Sequence, residues 1–175
     1  SLVCDRLGLD VWKVIQLANH HPRVNILTPG PGVGGHCIAV DPWFIINSAP
    51  DLTPLMQAVR GVNDGKPHHV VEKVNAVAGR GAKVACLGLA YKPDVDDLRE
   101  SPSITVVEEL VKAGYDVRVV EPHLKQWNNM ILYGLEDAVQ ASEIVVTLTG
   151  HSVFKTLDRG LLEDKILIDT VGLYR

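Results

Sequence analysis

The sequence has no long hydrophobic run and little cysteine. No apolar stretch approaches the roughly 20 residues that a membrane-spanning helix needs, so we predict no membrane association. The three cysteines, Cys4, Cys37 and Cys86, are an odd number with wide spacing, which excludes a disulfide framework and a paired-cysteine metal motif. We therefore predict no metal site, and this cysteine usage favours a reducing cytoplasm.

Positive charge is also in short supply. The chain has 17 Lys and Arg against 21 Asp and Glu, which gives a net charge of −4. That balance excludes the broad basic surface of a general nucleic-acid-binding protein, so no nucleic-acid partner is predicted. A few well-placed cations would still suffice to bind a small anionic ligand.

The beginning of the sequence lacks an initiator Met and the basic-then-apolar pattern of a signal peptide. It opens on apolar residues at helical spacing, as a chain does when it starts inside a helix. We therefore expect further residues of the protein to precede Ser1.

Apolar residues at helical spacing fill two parts of the first 80 residues. Residues 2–18 predict two short helices separated near Gly8. Residues 52–78 predict a longer helical segment that Pro67 would kink or break. These apolar stripes exceed what one small sheet domain can cover, so we predict a homodimer formed through them.

The clearest boundary in the chain is the sequence Gly79–Gly81, which divides a helical segment at 1–80 from a second domain at 81–175. Beyond it strand and helix patterns alternate. Strands are predicted at 83–89, 116–121, 143–148 and 165–169, and helices at 103–113 and 135–142. This alternation predicts an α/β fold, a Rossmann-like parallel sheet with helices on both faces, preceded by a helical dimerisation segment. Ligands of such sheets bind beyond the carboxyl ends of the strands.

A glycine- and proline-rich stretch occupies residues 28–37, and Gly30–Gly35 satisfies the spacing GxGxxG. No strand is predicted before it and no helix directly after it, as a dinucleotide-binding fingerprint would require. We interpret it instead as a loop whose glycines bring backbone amides close to an anion or a reacting oxygen. The candidate substrate-binding glycines are Gly32, Gly34 and Gly35.

Cys37 follows this loop directly, and Asp41 stands four residues later. A thiol on an exposed turn with free amides nearby can attack a carbonyl and have the resulting oxyanion stabilised. Asp41 would then orient or activate a water molecule. The alternatives are a small buried hydrophobe for Cys37 and a simple turn residue for Asp41. A cysteine hydrolase is disfavoured because His36 is poorly placed to act as its base.

A second motif, Gly88–Pro102, joins a predicted strand to a predicted helix at the ligand-binding edge of the sheet. Lys92 and Arg99 supply cations suited to phosphates, and Arg99 is capable of bidentate contact. Three nearby carboxylates are expected to hold these cations: Asp96, Asp97 and Glu100. The alternative is an ordinary solvated loop with surface ion pairs.

Together the two motifs resemble the UDP-glucose/GDP-mannose dehydrogenase family. Gly32–Pro42 is similar to the family's catalytic loop, GxGGxCxxxD, and Gly88–Pro102 to its GLxxKxxxDDxRESP segment. His36 and Val40, where the UDP-glucose branch usually has Ser and Lys, are similar to the N-acetylhexosamine branch, closest to the UDP-N-acetyl-D-mannosamine dehydrogenases. The hexosamine epimer stays open, and a UDP-glucose 6-dehydrogenase or a non-catalytic UDP-binding and oligomerisation module are the alternatives.

The resemblance implies an NAD-dependent enzyme that oxidises the C6 alcohol of a UDP-sugar to a uronate in two steps. Cys37 would form a thiohemiacetal and then a thioester, and Asp41 would assist hydrolysis. Lys92 would contact the nucleotide sugar, as would Arg23 from the neighbouring subunit, whereas Arg99 would contact NAD. The second domain would hold UDP. The NAD site would lie mostly on a further N-terminal domain, so we expect the chain to be inactive alone.

Overall fold

A four-stranded parallel sheet forms the centre of the fold. The computed structural model describes Ser1–Arg175 and orders the strands β2-β1-β3-β4. Their bounds are β1 Lys83–Leu87, β2 Asp116–Val120, β3 Ile144–Thr147 and β4 Ile166–Asp169. All three strand pairs are parallel. The predicted α/β class is confirmed, and each strand begins and ends within about two residues of its predicted bounds.

Helices cover both faces of this sheet. Successive side chains of a strand point to opposite faces, so strands that are apolar throughout need cover on both sides. On one face, α5 (Lys66–Asn75) and α6 (Pro102–Ala113) pack over Val84, Cys86 and Val146. On the other face, α7 (Leu135–Gln140) and Phe154 pack over Ala85, Leu87 and Val145. Two short 3-10 helices precede β4, at Ser152–Thr156 and Arg159–Leu162.

Helix α6 begins and ends where its sequence signals predict. Pro102 occupies its first turn, where the missing N–H costs nothing. Gly114 ends it with a φ of 89°, a left-handed conformation that glycine adopts without a Cβ clash. The chain then re-enters the sheet at β2, so α6 is the crossover that joins two parallel neighbours.

The helices before the sheet are shorter than their sequence pattern suggests. The two predicted short helices are present as α1 (Leu2–Leu7) and α2 (Val11–Ala18). The second helical segment breaks into α4 (Pro54–Asp64) and α5, and the break falls at Gly65 rather than Pro67. Pro67 lies instead in the first turn of α5, where proline is tolerated.

Helix α5 belongs to the sheet by its packing, since Val70, Val71 and Val74 enter the core beneath β1. By contrast, no residue of α1 or α2 is buried. The division of the chain at residue 80 stays a prediction, as does the homodimer. None of the helices has both the length and the apolar character that a membrane span requires.

Candidate functional site

The two sequence motifs meet beyond the carboxyl end of β1. The Gly35 N–H donates to the carbonyl oxygen of Arg99 at 3.0 Å. A Cβ on Gly34 would collide with the carbonyl oxygen of Glu100, and one on Gly35 would lie 2.9 Å from the Tyr91 ring. Glycine is therefore needed at both positions for close backbone packing, and the two motifs form one surface.

No strand precedes the glycine loop, in agreement with its interpretation as something other than a dinucleotide fingerprint. The segment after it does form a helix that was not predicted, α3 (Asp41–Ser48). The carbonyl oxygen of Cys37 accepts the N–H groups of Val40 at 3.0 Å and Asp41 at 2.8 Å, which forms the turn that leads into this helix. The side chains of Cys37 and Asp41 are both exposed.

Helix α4 anchors the glycine loop from the other side. The Asn63 side-chain oxygen accepts the Val33 N–H at 2.7 Å, and its amide nitrogen donates to the Val33 carbonyl at 3.2 Å. Arg60 is almost wholly buried and donates through Nη1 to the Ile38 carbonyl at 3.4 Å and through Nη2 to Asp64 at 2.7 Å. The turn that carries Cys37 is thus held between Asn63 and Arg60.

Asp97 holds Arg99 by a forked ion pair. The Arg99 Nε donates to both Asp97 carboxylate oxygens, at 2.9 and 3.1 Å, and Nη2 donates to Oδ2 at 2.6 Å. These side-chain hydrogen bonds, with one from the Arg99 N–H, lower the pKa of Asp97 to about 2. The same contacts raise the pKa of Arg99, and Tyr91 and Cys37 nearby add smaller contributions in that direction.

The expectation for the other two carboxylates of this loop is wrong. Neither Asp96 nor Glu100 forms an ion pair with Lys92 or Arg99, for which a nitrogen–oxygen distance within 4.0 Å would be needed. The reason at Glu100 is the backbone, which turns there with a φ of 49°. This turn presents the carbonyl of Glu100, rather than its carboxylate, to the glycine loop.

A cleft of about 640 Å³ opens beside the joined motifs. Its walls come from the glycine loop, the start of the second motif and the turns after β3 and β4. They include Leu27–Val33, Tyr91–Pro93, Leu148–Gly150 and Val171–Leu173. Ligands of parallel sheets bind at this edge, beyond the carboxyl ends of the strands.

The charge of this cleft has one sign. Lys66, Lys92 and Lys155 line it, and no Asp or Glu does. The Lys92 ammonium lies 5.5 Å from the centroid of the Tyr91 ring. The pKa of Lys66 is lowered, and burial is the largest cause of the shift. Three ammonium groups in a cleft whose walls carry no carboxylate suit an anionic ligand such as a diphosphate.

Arg23 does not reach this cleft. Its side chain is exposed, it does not line the cleft, and it forms no ion pair within the chain. Its backbone N–H donates to His21 Nδ1 at 3.3 Å. A contact of Arg23 with a neighbouring subunit stays a prediction.

Comparison with known proteins matches this geometry to one family. The model of the UDP binding domain of the UDP-glucose/GDP-mannose dehydrogenase family matches residues 85–175. The model of the same family's central domain matches residues 1–65. The chain belongs to the UDP-glucose/GDP-mannose dehydrogenase family.

Relatives of this chain include enzymes named for N-acetylated sugars. NDP-N-acetyl-D-galactosaminuronic acid dehydrogenase of Ralstonia solanacearum is 47% identical over 181 residues, 99% of this chain and 43% of the relative. UDP-N-acetyl-D-mannosamine dehydrogenase of Escherichia coli strain K12 is 41% identical over 191 residues, 100% of this chain and 46% of the relative. The chain therefore spans less than half the length of the curated relatives it matches.

Solved structures give the same result. The UDP-N-acetyl-mannosamine dehydrogenase Cap5O from Staphylococcus aureus superposes with a TM-score of 0.82 at 38% identity, over 98% of this chain and 42% of that one. NDP-N-acetyl-D-galactosaminuronic acid dehydrogenase from Methanosarcina mazei superposes with a TM-score of 0.87 at 26% identity, over 99% and 42%. The resemblance that the two motifs indicated is confirmed at the level of the family.

Several residues that shape the candidate site carried no sequence prediction. Lys66 and Lys155 lie far from both motifs, and only the fold brings them to the cleft. The sole local signal at Arg60 is its spacing of four residues from Asp64, which is typical of a helical ion pair. Tyr91 lies inside the second motif, but its contact with the glycine loop is visible only in three dimensions.

Proposed function

We propose that this chain is the UDP-binding and nucleophile-bearing part of an NAD-dependent UDP-N-acetylhexosamine 6-dehydrogenase. One observation carries the proposal: the exposed Cys37 stands on a loop that packs against the second motif beside a cleft lined by lysines. A nucleophile on a loop that itself lines an anion site suits a substrate that has both a reacting carbon and a diphosphate. The residues at 1–80 carry the nucleophile, and those at 81–175 carry two of the three lysines that line the cleft, Lys92 and Lys155.

In this proposal Cys37 reacts with the aldehyde intermediate of the oxidation. Its thiolate adds to the C6 aldehyde of the sugar, forms a carbon–sulfur bond and gives a thiohemiacetal. Loss of a hydride from C6 and of the hydroxyl proton to solvent leaves a thioester. Water then adds to the thioester carbon, the carbon–sulfur bond breaks, and a carboxylate and the thiol are released. Asp41, four residues along the same turn, orients that water.

NAD, when bound, supplies the hydride acceptor for both oxidations. The residues of this chain can form only a small part of the NAD site. Gly34 and Gly35 are occupied by packing against Glu100 and Tyr91, so the glycine loop does not offer a dinucleotide cradle. Arg99 is exposed, and its Nη1 is unused by Asp97, so this guanidinium can contact a cofactor phosphate.

The diphosphate of the substrate is bound by the ammonium groups in the cleft, chiefly Lys92, which lies on the loop that also contacts Gly34 and Gly35. Gly32 lines the same cleft. The names of the relatives divide between mannosamine and galactosaminuronic acid, so we propose the substrate class and leave the epimer to assay. The compartment predicted from the cysteines stays a prediction.

The proposed enzyme is a homodimer. Its subunits associate through the helices of the first 65 residues, which leave large apolar side chains uncovered. Leu7 and Leu17 are 64% and 71% exposed, and Phe44 and Leu55 are 68% and 76% exposed. A face of this kind is typical of a surface that another chain covers. Arg23 would then contact the sugar nucleotide of the partner.

Replacement of the nucleophile tests the proposed function. In the intact enzyme with NAD and a UDP-N-acetylhexosamine, Cys37→Ser should lower uronate formation by roughly 10³-fold or more. Cys4→Ser, on α1 and outside the site, is the matched control and should keep wild-type turnover. Wild-type turnover of Cys37→Ser would overturn the assignment of Cys37 as the nucleophile, whereas UDP binding without any turnover by the wild type would leave the non-catalytic UDP-binding module as the better description. Faster turnover of UDP-glucose than of every UDP-N-acetylhexosamine would overturn the assignment to the N-acetylhexosamine branch of the family.

A further inference from the structure

Two buried ionisable side chains lie outside the chemistry described so far. The side chains of Glu121 and His151 are both 0% exposed, and Glu121 Oε2 lies 3.1 Å from His151 Nε2. Glu121 follows β2 directly, and His151 stands at the end of the turn after β3. Burial of a carboxylate is costly unless hydrogen bonds replace its water, so the partners of this pair are informative.

The Glu121 carboxylate binds the chain where it leaves β1. Its Oε2 accepts the N–H groups of Leu89 at 2.7 Å and Ala90 at 3.1 Å, and its Oε1 accepts the His123 N–H at 3.1 Å. Burial alone would raise the pKa of Glu121, but the hydrogen bonds from His151 and from the Leu89 N–H outweigh it, and the pKa is lowered. Glu121 is therefore an ionised carboxylate at neutral pH.

His151 binds the other end of the same segment. Its Nδ1 accepts the backbone N–H of Asp94 at 2.9 Å. A nitrogen that accepts an N–H carries no proton, so the ring proton resides on Nε2 and is donated to Glu121. Both ring nitrogens are thus occupied. Although Asp94, His123 and His151 bring ligand atoms within 4.8 Å of one another, this occupancy argues against a metal ion.

Asp94 itself needs this support. Its backbone has a φ of 58°, a left-handed conformation that is uncommon outside glycine. Its carboxylate accepts the N–H of Ser152 at 2.8 Å and the Ser152 hydroxyl at 2.6 Å. The turn is therefore fixed by the residues that follow β3, through both its backbone and its side chain.

The middle of the segment is held by side chains as well. The carbonyl oxygen of Leu89 accepts the Ser101 hydroxyl at 2.6 Å, and that of Ala90 accepts the Thr149 hydroxyl at 2.6 Å. The N–H groups of both residues go to Glu121. No strand or helix fixes these peptide groups, so their position depends on the buried side chains around them.

We infer that the Glu121–His151 pair is a positioning device for nucleotide-sugar binding, which fixes residues 89–94 and with them Tyr91 and Lys92. It acts on binding through Lys92, which lines the cleft; Tyr91, against which the glycine loop packs, lies on the same segment. Glu121 and His151 do not line the cleft. This inference rests on the proposed function, because it requires that Lys92 binds the nucleotide sugar.

Two substitutions divide the roles of the histidine ring. His151→Gln keeps a donor for Glu121 and removes the acceptor for the Asp94 N–H, whereas His151→Asn keeps an acceptor near Nδ1 and removes the donor. Each should weaken UDP binding to the intact protein, measured by calorimetry, by about tenfold. Val145→Ala is the matched control, because Val145 is fully buried in the same sheet and contributes no hydrogen bond to residues 89–94. It should lower the melting temperature without changing UDP affinity.

A double-substitution cycle with Lys92→Ala separates positioning from general destabilisation. If the pair acts through Lys92, the effect of His151→Gln on UDP affinity should shrink to less than about twofold in the Lys92→Ala background. An equal loss in both backgrounds, or no loss in either, would overturn the inference. Should both His151 variants fail to fold, Ser152→Ala supplies the same cycle at an exposed residue that holds Asp94.

A readout without UDP keeps this inference distinct from the proposed function. His151→Gln should speed the hydrogen exchange of the Leu89, Ala90 and Asp94 amides relative to Val145→Ala, and nitrogen NMR of wild-type His151 should show the proton on Nε2. If the wild-type protein does not bind UDP, the proposed function fails. If UDP binds but exchange at these amides is unchanged in His151→Gln, the positioning device fails.

Discussion

The two halves of this chain use apolar residues in opposite ways. Only 7 of the 43 buried residues lie within the first 65 residues, although that part contains four of the seven α-helices. From Lys66 onward apolar side chains fill both faces of a sheet. The same helical periodicity thus marks an internal core in one region and an uncovered surface in the other. Periodicity predicts a buried face without saying which molecule buries it.

The residues proposed to react and the residues that form the core lie in different regions. Cys37 and Asp41 are exposed on a region with little core, whereas the sheet region supplies the rigid surface on which the glycine loop rests. Function often resides in loops held by a scaffold in this manner. Three measurements test whether the two regions differ in this way.

Truncation of a leucine in each region gives the largest contrast. Leu110 is 0% exposed in α6, and Leu110→Ala should lower the free energy of unfolding by about 2–5 kcal/mol, since it leaves a cavity in the core. Leu17 is 71% exposed in α2, and Leu17→Ala should change the same quantity by less than about 0.5 kcal/mol in the monomer. Urea unfolding at low protein concentration measures both.

The control for this pair is the oligomeric state. If the uncovered helices form the homodimer, Leu17→Ala should weaken association in light scattering, whereas Leu110→Ala should alter it only when the protein unfolds. A wild-type protein that stays monomeric at every concentration would contradict the dimer. Equal destabilisation of the monomer by both substitutions would remove the contrast between the regions.

Removal of one cleft cation should give an intermediate effect. Lys92→Ala should weaken UDP binding by about 1.5–3 kcal/mol, because a charge-assisted hydrogen bond to phosphate is lost. Wild-type affinity should also fall as salt rises, since the contacts are ionic. Calorimetry measures both, with Lys112→Ala as the control on an exposed turn of α6. A chain that binds NAD tightly and UDP not at all would overturn the assignment of the cleft.

Acidification should give the smallest effect, and its sign follows from Glu121. The pKa of Glu121 is lowered in the folded protein, so its contribution to stability is fully present above its ordinary value of 4.5. That contribution is lost as the pH falls through the folded value. The free energy of unfolding of Glu121→Gln should therefore depend less on pH below about 4.5 than that of the wild type. Glu108→Gln, exposed on α6, is the control and should keep the wild-type slope.

The strands could be predicted from sequence almost to the residue, because each is a short buried run bounded by turn residues. The pairing of the two motifs could be expected only from their shared edge of the sheet, and the contact of Gly34 with Glu100 had no sequence signal. Helix α3 was missed because the glycine loop hides its start, although Pro42 in its first turn is a helix-start signal.

The parts of the site that escaped prediction share a physical cause. Arg60 reaches Ile38 across 22 residues, and His151 reaches Asp94 across 57 residues. Contacts of this range depend on the assembled fold, whereas motifs report local chemistry. The local sequence gives no sign that His151 pairs with Glu121, which only the fold brings beside it. Buried polar pairs are therefore the class of functional residue that a single sequence shows least.

Glycine-rich loops are usually taken to be flexible, and Gly34 and Gly35 argue for the opposite here. Both are buried, and the space that a Cβ would need is filled by Glu100 and Tyr91. The absence of a side chain at these two positions allows close packing against Glu100 and Tyr91 and does not make the loop mobile. In the proposed enzyme, the loop that leads to Cys37 is therefore held in place by packing before any substrate arrives.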